Sequence, residues 1–191
     1  LMKLGGEEGK SIYIVPKKAA KKPTVRNPVV VSRDGKETTL SNGLSEVVVS
    51  RAGGSLIRRL VINGRLLVDG NAPVDLLVVD GGGKIHRASL SGSYKVSITH
   101  KGPLRSELKI EGTHKARDRS SFLDFAFRLS LTADSPDLKM EHTFYCREQR
   151  SGKVEVRSMR LVMPTTMDGG ARKLLRQRNH GQAGNHRSVA V

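Results

Sequence analysis

Six histidines and one cysteine are the side chains here best suited to hold a metal or attack a bond, and none stands in a pattern that does either. His86, His100, His114, His142, His180 and His186 form no HxH, HExxH or mixed His/Cys cluster of the spacing that surrounds zinc. No metal and no cofactor is expected. His142 falls on the apolar parity of its segment and reads as a hydrogen-bonded core histidine. Cys146 follows Tyr145 with no histidine motif nearby, which marks an ordinary thiol and not a nucleophile. Gly81-Gly82-Gly83 lacks the Lys-Ser/Thr and the following helix of a phosphate-cradling loop, so it reads as a loose hairpin turn. Asp124, Glu141 and Glu155 are the carboxylates from which a glycoside-hydrolysing pair would be drawn, but all three sit at polar positions and read as solvated side chains.

The strongest chemical signal is charge. Thirty-four Lys and Arg against 18 Asp and Glu give a formal net charge of +16 in 191 residues, a balance that attracts polyanions. Part of the excess is terminal: Lys17, Lys18, Lys21 and Lys22 precede the patterned region, and Arg172, Lys173, Arg176, Arg178 and Arg187 follow Asp168, the last acidic residue. A nucleic-acid reader would interleave its basic residues with stacking aromatics along one groove. This chain instead mixes signs, as in Arg105, Glu107 and Lys109, and places its aromatics mainly on apolar parities. Nucleic acid is therefore expected only as a nonspecific polyanion. A single cysteine rules out an internal disulfide. No run reaches the roughly 20 apolar residues of a membrane-spanning helix, and the opening LMKLGGEEGKSIYIV has no continuous signal-peptide core. No membrane contact is expected, and the compartment stays open. The chain opens at Leu1 rather than at methionine, which leaves a truncated or processed product and a complete protein as equal expectations.

Strands must position whatever these residues do. Tyr94, Val96 and Ile98 alternate with Lys95, Ser97 and Thr99, and Leu104, Leu108 and Ile110 oppose Arg105, Glu107 and Lys109 in parity. Phe125, Phe127, Leu129 and Leu131 alternate with Asp124, Arg128 and Ser130, and Leu138, Met140, His142 and Phe144 with Lys139, Glu141, Thr143 and Tyr145. Short turn-forming connectors, Lys101-Gly102-Pro103 and Ala133-Asp134-Ser135-Pro136, make these four strands a meander. Further strands are expected in Leu44 to Val49, Leu56 to Ile62 and Val74 to Val79, with Asn63-Gly64 as a hairpin turn. Residues 154 to 163 change parity, which calls for a bulge or a change of sheet. The fold class that follows is all-β, an antiparallel β-sandwich with an aliphatic core and short flexible basic tails. Residues 1–28, Lys/Pro-rich, read as a tail or linker; 29–163 as the sandwich; 164–191 as a basic, Gly-rich disordered tail.

Three stretches taken in order, NGLSEVVVSRAGGSLIRRLVINGRLLVDG (Asn42 to Gly70), HKGPLRSELKIEGTH (His100 to His114) and FRLSLTADSPDLKMEHTFY (Phe127 to Tyr145), resemble the central β-sandwich domain of exo-rhamnogalacturonan lyase-like proteins, the PcRGLX/YetA-like group. The resemblance covers roughly residues 40 to 163. It implies a preceding barrel, of which Leu4 to Val15 would be the end, and a catalytic α/α superhelix after the sandwich. Such a superhelix needs more than about a hundred further residues. The family's chemistry, β-elimination beside a uronate carboxylate, is thus expected to be absent, and no catalytic residue is carried over.

The expected function is that of a non-catalytic module of polysaccharide-processing proteins that supports a missing catalytic domain or contacts acidic carbohydrate. On that reading Arg128 and Lys139 pair with a sugar carboxylate and Tyr145 lies against a ring. Their shared outward parity motivates the choice. A nonspecific polyanion binder and a lyase active as this chain alone are the alternatives.

Overall fold

Period-two patterning requires each strand to bury one face, and two antiparallel sheets satisfy this by facing each other across an aliphatic interior. The computed structural model describes residues 24–146 and 154–166, together with the backbone of two short N-terminal strands. In chain order the strands are β1 (Lys3–Gly5), β2 (Ser11–Tyr13), β3 (Val30–Asp34), β4 (Glu37–Ser41), β5 (Ser45–Ser50), β6 (Arg59–Ile62) and β7 (Arg65–Val68). They continue with β8 (Asp75–Asp80), β9 (Ile85–Arg87), β10 (Lys95–His100), β11 (Arg105–Lys115), β12 (Ser121–Thr132), β13 (Leu138–Tyr145) and β14 (Val156–Val162). One 3-10 turn, Ala88–Ser91, joins β9 to β10.

β1 and β2 pair with each other. The five-stranded sheet runs β3-β4-β5-β6-β7 and is a meander throughout. The seven-stranded sheet runs β13-β12-β11-β9-β8-β14. Because β12 occupies the whole of one edge of β11, β10 and β9 lie one after the other along its opposite edge. The expected meander of four alternating strands is thus β10 to β13. Asn63-Gly64 turns the β6–β7 hairpin with both residues at positive φ, 49° and 72°, the pairing that matches strand twist in a two-residue turn.

Register carries the core. Leu108 opposes Leu129, which opposes Met140; Ile110 opposes Phe127, which opposes His142. Each row therefore crosses three strands on one face. That face packs on β4, whose Leu40 is fully buried beside Val47 and Val49 of β5. Leu56 and Ile57 are also fully buried, yet they stand outside any strand. The Ser55 hydroxyl donates to the Ile57 carbonyl at 2.6 Å and accepts from the Val74 N–H at 3.0 Å, replacing ladder bonds there. The strand expected from Leu56 accordingly begins only at Arg59.

Two apolar positions depart from the parity reading. Leu104 is exposed because it precedes β11, in the turn from β10. Phe144 is 49% exposed: β13 is an edge strand, and burial along its inner row fades toward the Tyr145 end. The parity change near the C-terminal end is a register shift between Val156 and Ser158 where β14 pairs with β8. Beyond β14 the Thr166 N–H donates to the Leu67 carbonyl at 3.0 Å, so the chain passes from one sheet's edge to the other's. Most of the expected linker and tail, residues 1–23 and 167–191, lies outside the described residues apart from β1 and β2.

Candidate functional site

Residues opposite one another in an antiparallel pair share a face. Arg128 opposes Glu141 and Lys109; Ser130 opposes Lys139 and Glu107; Asp124 opposes Tyr145 and Thr113. Arg128, Lys139 and Tyr145 are thereby brought to one outer face of the seven-stranded sheet. They are spread along it: Lys139 and Tyr145 sit six residues apart on one strand, about 20 Å.

This face is polar but not uniformly cationic. Arg128, 27% exposed, places Nη1 3.3 Å from the Thr143 hydroxyl and Nε 3.8 Å from Glu107, the latter too long for a hydrogen bond. Most of its five donors are therefore uncommitted within the protein. Lys139 stands 3.5 Å from Glu141. Lys109 holds Glu111 at 2.7 Å, and that contact keeps the Glu111 carboxyl below the usual carboxylate range. Arg105 holds Glu107 at 2.7 Å. Tyr145 is exposed at the end of the row.

The carboxylates do not assemble into a glycosidic pair. Asp124 and Glu141 are offset by four residues of register, about 13 Å along the strand, wider than the roughly 5–9.5 Å such chemistry uses. Glu155 precedes β14 at the opposite end of the sheet. Asp124 corrects the expectation of a solvated side chain: it is buried and accepts from the Thr113 hydroxyl at 2.5 Å. The three glycines form the β8–β9 hairpin turn, with the Gly83 N–H on the Asp80 carbonyl at 2.9 Å. Cys146 is exposed just past β13.

His142 lies on the inner face, as its parity requires, but its Nε2 is buried without a hydrogen-bond partner. That corrects the hydrogen-bonded core reading. Its ring meets that of His114 edge-on, with centroids 5.8 Å apart. His114 donates its Nδ1–H to the Leu123 carbonyl, 2.8 Å away, and its Nε2 is likewise unpartnered. Burial first, then the neighbouring His114, pushes the His142 imidazole down to about 4. Such a ring stays neutral near pH 7. Among the described residues no three His, Cys, Asp or Glu side chains gather as metal ligands.

A second polar assembly escaped the sequence reading because long-range pairing creates it. Asp75 on β8, 1% exposed, accepts from the backbone N–H and hydroxyl of Ser89 at 2.9 and 2.7 Å and from Arg87 Nη1 at 3.4 Å. Nearby, Lys84 Nζ reaches Asp118 at 2.5 Å and the Ser120 hydroxyl at 2.7 Å. Lys84 is the main reason the Asp118 carboxyl lies well below the usual range. The signal that could have found it is Asp118-Arg119-Ser120, a turn sequence between two strands.

Two antiparallel sheets over one aliphatic core, a charged outer face and no assembled catalytic pair among the described residues define a β-sandwich module. The chain belongs to the family described as PcRGLX-like protein central beta sandwich domain, whose model matches residues 29–172. It is also 26% identical over 157 residues to the "Uncharacterized protein YetA" of Bacillus subtilis (strain 168), an alignment covering 79% of this chain and 18% of that protein. The chain thus spans less than a fifth of that relative's length.

Proposed function

We propose that this sandwich is a non-catalytic module of a polysaccharide-processing protein and that its outer face at β12 and β13 contacts acidic carbohydrate. The observation that carries the reading is the common face of Arg128, Lys139 and Tyr145, with Arg128 keeping donors uncommitted beside Thr143 and Glu107. A guanidinium so placed meets a uronate carboxylate with two parallel N–H donors. Glu141 and Thr143 offer acceptors to sugar hydroxyls, and the exposed ring of Tyr145 offers a flat apolar surface at the end of the row. The resemblance to exo-rhamnogalacturonan lyase-like proteins supports an acidic sugar as the partner, with bond breaking left to a separate catalytic domain.

Retention on an immobilised pectin-fragment gel tests this. Arg128→Ala with Lys139→Ala is expected to abolish retention of a protein that still melts cooperatively. Unchanged retention of the double variant overturns the proposal.

A further inference from the structure

Cations on the outer face of the seven-stranded sheet are neutralised unevenly. At the β10–β13 end Lys95, Arg105, Lys109, Arg128 and Lys139 each have a carboxylate within 4.0 Å. Toward β9 Lys84 and Arg87 are paired as well, with Asp118 and Asp75, but one cation is left over. A cavity of about 520 Å³ opens between β9, the 3-10 turn and the β11–β12 turn, with Lys84, Arg87 and Arg117 in its wall against one carboxylate, Asp118. Ile85 and Leu90, both largely exposed, supply an apolar side.

The cations differ in how they are held. Arg87 is anchored from below: the buried Asp75 takes one of its N–H groups and is itself satisfied by Ser89, leaving the rest of the guanidinium fork to the cavity. Lys84 is pinned by Asp118 and Ser120. Arg117 stands exposed in a turn closed by the Ala116 N–H on the Ser120 carbonyl and the Arg119 N–H on the Ala116 carbonyl, and no carboxylate lies within 4.0 Å of it among the described residues. Register adds Lys115 directly opposite Arg87 on the adjoining strand. One preorganised guanidinium, one unneutralised guanidinium and an aliphatic wall fit an anion with an organic body better than a bare ion, since the wall has nothing to offer a fully hydrated one.

We propose that this cavity binds a small organic carboxylate, its carboxylate on Arg87 and Arg117 and its body against Ile85 and Leu90. The site lies toward β9, away from Arg128, and does not depend on the carbohydrate reading of β12 and β13.

Amide chemical shifts of the full chain, titrated at fixed ionic strength with benzoate, with D-galacturonate and with inorganic phosphate, test the assignment. Saturable shifts confined to residues 84–90 and 115–120 are expected with at least one of the two carboxylates, and a weaker response with phosphate. Arg117→Gln, at an exposed turn position, is expected to weaken the carboxylate response about tenfold or more, in line with about 1.5–3 kcal/mol for a charge-assisted hydrogen bond. Arg128→Gln is expected to leave it unchanged. Three results overturn the proposal: shifts that never saturate, an Arg117→Gln protein that binds like the parent, or phosphate binding as tightly as both carboxylates.

Discussion

The side-chain amide of Asn42, in the turn between β4 and β5, donates to the carbonyls of Thr132 and Ser135 at 2.8 and 2.6 Å, tying the five-stranded sheet to the β12–β13 connection of the other. Its own oxygen accepts from the N–H groups of Leu44 and Ser45 at 3.1 and 2.8 Å. Ser45 adds a bond from its hydroxyl to the Pro136 carbonyl at 2.6 Å. One buried amide therefore bonds four backbone groups, two carbonyls and two N–H groups. Asn42→Ala is expected to lower unfolding free energy by about 3 kcal/mol, because buried donors and acceptors lose their partner together. Urea denaturation measures it. A loss under about 1 kcal/mol would mean that water takes over the amide's role.

Gly53 and Gly35 both have positive φ, 77° and 53°, but their surroundings differ. A Cβ on Gly53 would lie 2.5 Å from the Gly92 carbonyl oxygen, whereas one on Gly35 meets nothing within 4 Å. Gly35→Ala thus incurs only backbone strain, about 1 kcal/mol, and Gly53→Ala adds a backbone clash, about 3 kcal/mol or more in total. Thermal melts of the two variants side by side check the ordering. Equal losses would show that the Gly53 and Gly92 loops separate without cost.

His114 and His142 make the sandwich acid-sensitive. Burial depresses both imidazoles below the roughly 6.5 of an unfolded chain, His142 to about 4. Between those values the unfolded chain binds more protons than the folded one, so stability is complete above about pH 6.5 and falls as pH drops toward 4. Melting temperature measured from pH 7.5 to 4.5 is expected to decline over that window, and His142→Leu to shallow the decline. Buried or hydrogen-bonded carboxylates such as Asp80, whose bond to His86 at 2.8 Å holds its carboxyl low, contribute below pH 4 instead. A parent and a variant with the same slope would count against the histidine pair.

Much of the architecture was legible in advance, and the reason is local. Period two is a property of the backbone pleat, so Phe125, Phe127, Leu129 and Leu131 announced their buried face before any partner strand was known. Asn63-Gly64 announced its hairpin because few dipeptides accept two positive φ values. Parity likewise sufficed to bring Arg128, Lys139 and Tyr145 to a common face.

What sequence could not contain was distance across the sheets. Parity says that Phe144 points inward but not that β13 is an edge strand whose inner row runs past its cover. It says that Asp124 points outward but not that Thr113 waits opposite and that the site is buried. The cavity at Arg87 and Arg117 depends on β8, β9 and the β11–β12 turn meeting, residues roughly 30 to 40 apart in the chain. Side-chain alternation is set residue by residue, so it survives in one dimension; pairing order and register are set by which strands bury one another best, and only the folded chain decides them.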